Sequence, residues 1–431
     1  MRMPTVTMGL SNYRCFVERQ EVQLRPVTVV LGRNNSGKSA LVRAPLVLST
    51  GIDTDSSSPL DLDVLTEQIV DSFGNLLYGG RPHGSLHVQL TVQGDDGESV
   101  QVDARIQNID EYRMQIVSNL RLSTRGVDLQ LEWEPEDPPE EPHSYTFRVG
   151  SDVYSGIKAE FHGLLPVSVE FIGEIPDQHI EKLLECSSRV RAGFDTIRYL
   201  GPFRDRPSRL YRLPVRMPTD VGASGENTAS ILASDSTRQQ GQILRQLNDA
   251  LGGNLLGWSI DVVERSGMHA VVLRSQDDET LEINLADTGT GIAQALPIFV
   301  QRALDVLRPP LRPVLEIIEQ PELHLHPAAH APLADLYLQA ARDTNVRFLI
   351  ETHSETFLLR LRRRIAEQQV SPDSVAVYFV DNVGGSASAR RINIDSDGNL
   401  DYWPEGVFSE DYEETRGILK AQFEKADASG D

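Results

Sequence analysis

The stretch VTVVLGRNNSGKSAL, from Val27 to Leu41, constrains this chain more than any other part of it. An apolar, β-branched run ends at Gly32, and the pattern G-x-x-x-x-G-K-[ST] follows through Gly32, Arg33, Asn34, Asn35, Ser36, Gly37, Lys38 and Ser39. An apolar strand, a glycine-bounded turn and a helix start together make the frame of a phosphate-binding loop. The glycines let backbone N–H groups turn onto an anion, and the helix N-terminus favours negative charge. The lysine reaches the β- and γ-phosphate oxygens, and the serine hydroxyl coordinates Mg2+. ATP and Mg2+ are therefore the expected ligands, and an α/β core the expected frame.

A phosphate loop needs an acidic strand end to hold the metal. In PVLEIIEQPELHLHP the run Val314 to Ile318 is a buried strand pattern interrupted only by Glu316, and Glu319 stands at its C-terminal end, where ligands of open α/β sheets sit. A second apolar strand in NVRFLIETHSETFLLRLRRRI ends in Thr352, His353 and Ser354 before a helix. A histidine at a strand end is placed to hydrogen-bond a γ-phosphate or to position water, and it equally suits a structural or capping role.

The chain has 431 residues, enough for at least one large core and two or more structural units. Its formal net charge of -22 disfavours diffuse binding to nucleic acid or to an anionic membrane, so any DNA contact has to be a local basic patch or belong to a partner. No apolar run approaches a membrane span, and MRMPTVTMGLSNYRCF lacks the apolar core of a signal peptide. The cytoplasm is the expected location, with no membrane partner. Cys15 and Cys186 match no metal spacing and read as buried thiols.

Along the chain, residues 1–80 read as strand, strand, phosphate turn and helix. From SLHVQLTVQ through VDLQLEW apolar residues recur at every second position, the signature of a β-meander, so residues 81–175 are a β-rich unit. The acidic EPEDPPEEPHS reads as a solvated loop. Helical periodicity returns in PDQHIEKLLECSSRVRAGF and in QQGQILRQLNDALGG, the second ending at a glycine cap. Strands and helices then alternate to residue 375, leaving 376–431 as a small extension.

Taken in order, LGRNNSGKS, LADTGTGIAQALPI, IIEQPELHLHP and IETHSE resemble the ABC-type ATPase core of the RecF and overcoming-lysogenization-defect (OLD) class. IRYLGPFRDRP and INIDSDGNLDYWPEGVFSEDYEE resemble a bacterial subgroup with a C-terminal domain of unknown function. The resemblance implies an α/β fold, an ABC-type P-loop ATPase head, with 1–80 as its N-terminal lobe, 81–175 as a β-rich insertion, 176–375 as its C-terminal lobe and 376–431 as an α+β extension. It makes Glu319 the Mg2+ carboxylate, Asp287–Gln294 the signature loop with Gly289 and Gly291 at the nucleotide, LHLHP the dimer-contact loop and His353 the switch histidine. It implies two heads sandwiching two nucleotides in a homodimer or higher oligomer, each nucleotide held by one subunit's phosphate loop and the other's signature loop. The process implied is DNA repair or anti-phage defence through a separately encoded effector such as a nuclease.

Two departures from that pattern stand out. The signature reads DTGTGIAQ, and the residue after Glu319, where a glutamate usually polarises the attacking water, is Gln320. An amide cannot accept that proton. Either Glu322 substitutes, or hydrolysis is slow and the ATP-bound state long-lived. An ATP-gated scaffold with little hydrolysis is one alternative; a nuclease in its own right is another, although the tail lacks the glutamate and paired aspartates of the nuclease domain fused to OLD-type ATPases. His324 and His326 have no third ligand at zinc spacing. Asp397-Gly398 reads as a hairpin turn. Arg360, Arg362, Arg363 and Arg364 read as salt-bridge partners or a solvated face, with DNA contact as the competing reading. Arg204 suits phosphate sensing or the pinning of a loop.

Overall fold

Six strands make the layer that carries the phosphate loop. They are β3 (Val27–Gly32), β11 (Thr196–Leu200), β15 (Val314–Glu319), β16 (Val346–Glu351), β17 (Val375–Val383) and β18 (Ser386–Ile392), in the order β11-β15-β16-β3-β17-β18. All pair in parallel except β18, which runs antiparallel to β17. Every residue of β3, β15 and β16 is buried, as a parallel sheet covered on both faces requires. The computed structural model describes residues 6–67, 69–81, 83–94, 96–136, 139, 142–171, 175–251, 257–278, 280–403 and 416–422.

A second, nine-stranded sheet is antiparallel throughout. It contains β1 (Val6–Ser11), β2 (Gln20–Leu24), β4 (Gly84–Gln93), β5 (Ser99–Ile109), β6 (Met114–Thr124), β7 (Val127–Trp133), β8 (His143–Val149), β9 (Asp152–His162) and β10 (Leu165–Glu170), in the order β10-β9-β8-β7-β6-β5-β4-β1-β2. The meander expected from the alternation is present as β4 to β7, and Val6↔Val92 to Ser11↔His87 joins it to β1. The expected insertion is thus the continuation of a sheet that the N-terminal residues begin. A third sheet holds β12 (Trp258–Arg265), β13 (Met268–Ser275) and β14 (Glu282–Asn284).

Alternate residues of the central sheet face two cores. Leu315, Ile317, Leu349 and Tyr378 join one core with the nine-stranded sheet and with residues of α1 (Lys38–Val42), α2 (Ala44–Ile52) and α3 (Asp177–Gly193). Val29, Ile318, Phe348, Ile350 and Val377 face the other core, which includes α4 (Thr228–Arg238), α5 (Gln242–Leu251), α6 (Thr290–Leu307), α7 (His330–Asp343) and α8 (Glu355–Ala366). The glycine cap expected after α5 lies outside the described residues.

The expected boundary between 375 and 376 falls at the start of β17, which pairs with β3 from Val375↔Val27 to Val380↔Gly32. This strand is core, and an extension in the strict sense begins only after β18. Asp397-Gly398 does form a turn: Ile394 bridges Leu400, and the Asp395 carboxylate accepts from the Asp397 and Asn399 amides. Residues 404–415 and 423–431 of the expected extension lie outside the described residues. The four arginines on α8 are engaged within the chain. Arg360 and Arg364 both bond Asp335 of α7, Arg363 bonds Glu367, and Arg362 donates to the Gly398 carbonyl. No helix among the described residues is long and apolar enough to cross a membrane.

Candidate nucleotide-binding and catalytic site

The parallel order brings four loops to one edge of the central sheet: the phosphate loop after β3 and the segments that follow β11, β15 and β16. This is the edge at which an open α/β sheet binds its ligand. The loop's glycines are dictated by geometry. Gly32 has φ +152° and its missing Cβ would stand 2.2 Å from the Val380 carbonyl oxygen; at Gly37, φ +107°, it would stand 2.5 Å from Cys15 Sγ. Only glycine tolerates both conditions. α1 then begins at Lys38 and packs on β3, β15 and β16.

Lys38 is buried, and its Nζ donates to the Arg33 carbonyl at 2.7 Å within the loop. Burial holds its pKa below the usual lysine value, with Glu351 opposing the shift. Ser36 is buried and its hydroxyl has no hydrogen-bond partner. Arg33, Asn34 and Asn35 are exposed along the loop, Asn35 with φ +60°.

Glu319 and Glu351 are register partners at the ends of β15 and β16, both buried. Glu319 accepts from Arg43 Nε and from the Tyr199 hydroxyl at 2.9 Å through Oε1, and from Arg43 Nη2 at 2.7 Å through Oε2. That bidentate bond raises the Arg43 pKa above its usual value. Glu351 accepts from the Ser39 hydroxyl; burial pushes its carboxyl up, and the serine opposes the shift. The expected metal carboxylate is therefore held by Arg43, just past α1, and three residues the sequence did not single out, Arg43, Tyr199 and Glu351, surround it. The pattern that pointed to Glu319, a glutamate closing an apolar strand, is repeated at Glu351 in VRFLIE.

Gln320 follows with φ +46°, its amide bonded to the Glu351 carbonyl at 2.8 Å. Glu322 is buried; its Oε1 accepts from the His353 amide at 2.7 Å, and its Oε2 has no hydrogen-bond partner among the described residues. Glu322 and His353 thus come together across two strand ends. Partial desolvation, and then the Lys38 charge, lower the pKa of His353 below the usual histidine value. The shift favours the neutral imidazole, in which one ring nitrogen accepts and the other donates.

Arg204, in the segment after β11, is buried; it donates to the Glu319 carbonyl at 3.3 Å, and Nε and Nη1 have no hydrogen-bond partner. The Gln294 side chain of α6 donates to the Arg204 carbonyl at 3.0 Å. The end of the signature segment is thereby tied to the strand end that bears Glu319.

The start of that segment faces outward. Gly289 precedes the 18-residue helix α6, is exposed, and has φ −60°, with nothing among the described residues within 4 Å of where a Cβ would be. Asp287 is held by Arg209 in a bidentate pair of 2.8 and 2.6 Å. Gly291 is different: a Cβ there would stand 2.8 Å from the His324 carbonyl oxygen, so the signature segment touches LHLHP. His324 and His326 are both exposed, and His326 Nδ1 accepts from the Ala328 amide as a cap.

Residues 221–358 match the family described as AAA ATPase domain, and residues 370–416 match a protein of unknown function, DUF3696. The first match includes Gly289, Gly291, Glu319 and His353, while the phosphate loop lies upstream of it. No curated protein matches the chain. Among solved structures it is similar to an Smc head bound to the C-winged helix domain of ScpA, at 11% identity over 90% of this chain and 97% of that one, TM-score 0.49. It is also similar to the SMC head domain from Thermotoga maritima, at 11% identity over 91% and 100%, TM-score 0.41. A third is the Smc head domain with an extended coiled coil bound to the C-terminal domain of ScpA derived from Pyrococcus furiosus, at 11% over 91% and 97%, TM-score 0.45. Residues 221–358 are thus similar to an AAA ATPase domain, and the same chain carries a phosphate loop between a buried strand and a helix in a mixed α/β fold.

Proposed function

We propose that the chain binds Mg·ATP in the loop 32–39, hydrolyses it slowly, and closes head to head on a second copy. Closure would control a separately encoded effector, such as a nuclease, in bacterial DNA repair or anti-phage defence. The process and the effector rest on the resemblance of its motifs to the RecF and OLD class. The head-to-head reading rests on Gly289. A glycine at φ −60° with open space around it has no conformational or packing need among the described residues of its own chain. Its lack of a side chain keeps clear the exposed N-terminus of a long helix, where backbone N–H groups and the helix dipole favour a phosphate brought by a second subunit.

The residues divide the work. The loop's N–H groups and Lys38 bind the phosphates. Ser39 with a strand-end carboxylate offers oxygen donors of the kind Mg2+ takes, and among the described residues Glu351 Oε2 has no hydrogen-bond partner. The metal would neutralise phosphate charge as the γ-phosphoryl leaves. His353, its backbone pinned by Glu322, would hydrogen-bond the γ-phosphate or the attacking water. Arg204 carries strand-end movement to the signature helix through Gln294.

A second reading, an ATP-gated scaffold with little hydrolysis, is favoured by Gln320, which cannot take a proton, and by Glu322, which spends one oxygen on the His353 amide. Sedimentation of the purified chain with ATP, with ADP and without nucleotide, alongside phosphate release with and without DNA, tests both. ATP-dependent dimers with measurable phosphate release support the ATPase. Dimers without release support the scaffold, and a monomer under every condition refutes closure.

A further inference from the structure

The two strand-end carboxylates divide their partners unequally. Glu319 has both oxygens occupied, by Arg43 through Nε and Nη2 and by the Tyr199 hydroxyl. A guanidinium held in this way neutralises the carboxylate and fills its best donor directions. Among the described residues, Glu351, one strand nearer β3 and 2% exposed, meets only the Ser39 hydroxyl by side-chain hydrogen bond, and its Oε2 has no hydrogen-bond partner. The neighbouring Lys38 ammonium donates instead to the Arg33 carbonyl.

The helix geometry explains the division. Arg43 is one helical repeat beyond Ser39, its amide bonded to the Ser39 carbonyl at 3.0 Å. Two such residues lie on one helix face about 6 Å apart, close to the roughly 4.8 Å between adjacent strands. A helix crossing β16 and β15 therefore makes two rungs, Ser39 to Glu351 and Arg43 to Glu319. The first contains a hydroxyl and a carboxylate oxygen that lacks a donor; the second is closed.

A buried carboxylate oxygen without a donor is costly unless a cation completes it. A hydroxyl and a single carboxylate suit Mg2+, which takes few protein ligands and keeps water and phosphate oxygens for the rest. We infer that Glu351, rather than Glu319, supplies the carboxylate of the Mg2+ site beside Ser39, and that Glu319 is a positioning residue that anchors Arg43 beneath α1. The inference rests on reading residues 32–39 as an ATP site.

The test is ATP binding by the full chain, measured by calorimetry in EDTA and across a Mg2+ titration. For Glu351→Gln we expect the Mg2+ concentration giving half of the metal-dependent gain in affinity to rise by at least about ten-fold, with binding in EDTA kept, and for Glu319→Gln a shift below about three-fold. Glu351→Asp, which keeps the charge, should fall between wild type and Glu351→Gln, and it carries the test if the glutamine variant does not fold. An unshifted Mg2+ dependence in Glu351→Gln, or in Glu351→Asp if that variant alone folds, overturns the assignment while leaving the ATP site standing. Loss of the metal-dependent gain in Glu319→Gln alone does the same. A wild-type chain that binds no ATP with or without Mg2+ overturns the ATP site and this inference with it.

Discussion

Two glycines of the signature segment are expected to fail in different ways when replaced. At Gly291 a Cβ would stand 2.8 Å from the His324 carbonyl oxygen, about 0.6 Å inside the 3.4 Å at which ordinary contact begins. Backbone sits on both sides of this contact, so α6 and the LHLHP turn have to separate by that amount. Overpacking of this kind costs about 1–3 kcal/mol, and displacing a ligand-binding segment by a good fraction of an ångström lowers turnover by up to about 100-fold. Gly289 has open space and an ordinary φ, so Gly289→Arg should change stability by less than about 1 kcal/mol, the scale of helix-end effects. If the proposed head-to-head closure holds, it should nevertheless abolish ATPase activity, because the new side chain would occupy the space the other subunit's nucleotide needs. Denaturant unfolding and phosphate release, measured on both variants, separate the two roles. A Gly291→Ala protein as stable as wild type would refute the close contact. A Gly289→Arg protein destabilised by more than about 2 kcal/mol would show that the glycine serves its own fold, against the expectation from helix-end effects.

Lys38→Ala should weaken ATP binding by about ten- to a hundred-fold, the worth of a charge-assisted hydrogen bond, and unchanged affinity by calorimetry would remove the phosphate-loop assignment. Gln320→Glu should raise steady-state turnover by about 10²–10⁴-fold if the amide is what limits hydrolysis. Glu322→Gln keeps an oxygen for the His353 amide, so lost turnover in that variant would mark Glu322 as the base, and no change in either variant would dismiss both residues. Asp335→Asn removes the negative charge that Arg360 and Arg364 share, and denaturant unfolding should show a loss of about 1 kcal/mol that shrinks at high salt; a salt-independent loss would assign the effect to packing.

Much of this site was legible because its signals are local. Gly32 to Ser39 form a contiguous pattern, and the β-meander announces itself by strict alternation within each strand. Glu319 could be read as a carboxylate closing an apolar run. Glu351 carries the same signal one strand later, but the Thr-His-Ser that follows drew attention past it. Arg43 and Tyr199 are single residues with no motif, and their place depends on α1 crossing two strands and on β11 pairing with β15. The union of β4 with β1, and of β17 with β3, depends on register between segments far apart in the chain. Composition there shows a strand but not its neighbour. The arginines of α8 posed the reverse difficulty: their density suggests a binding face, and only the approach of α7 and of the 395–399 turn reveals that the chain itself uses them.

In the proposed head-to-head dimer the phosphate loop of one copy works only against the signature loop of the other. Lys38→Ala and Gly289→Arg damage the two halves of that composite site, so each protein alone should be inactive. In a mixed dimer both lesions fall into one site and leave the other intact. With random exchange half of the dimers are mixed, and the mixture should recover about one quarter of wild-type phosphate release if the two sites act independently. A covalently linked pair carrying one lesion in each half should give about one half on the same reckoning. No recovery in either the mixture or the linked pair, or full activity of Gly289→Arg by itself, would contradict the account and leave the loop 32–39 as a self-contained site.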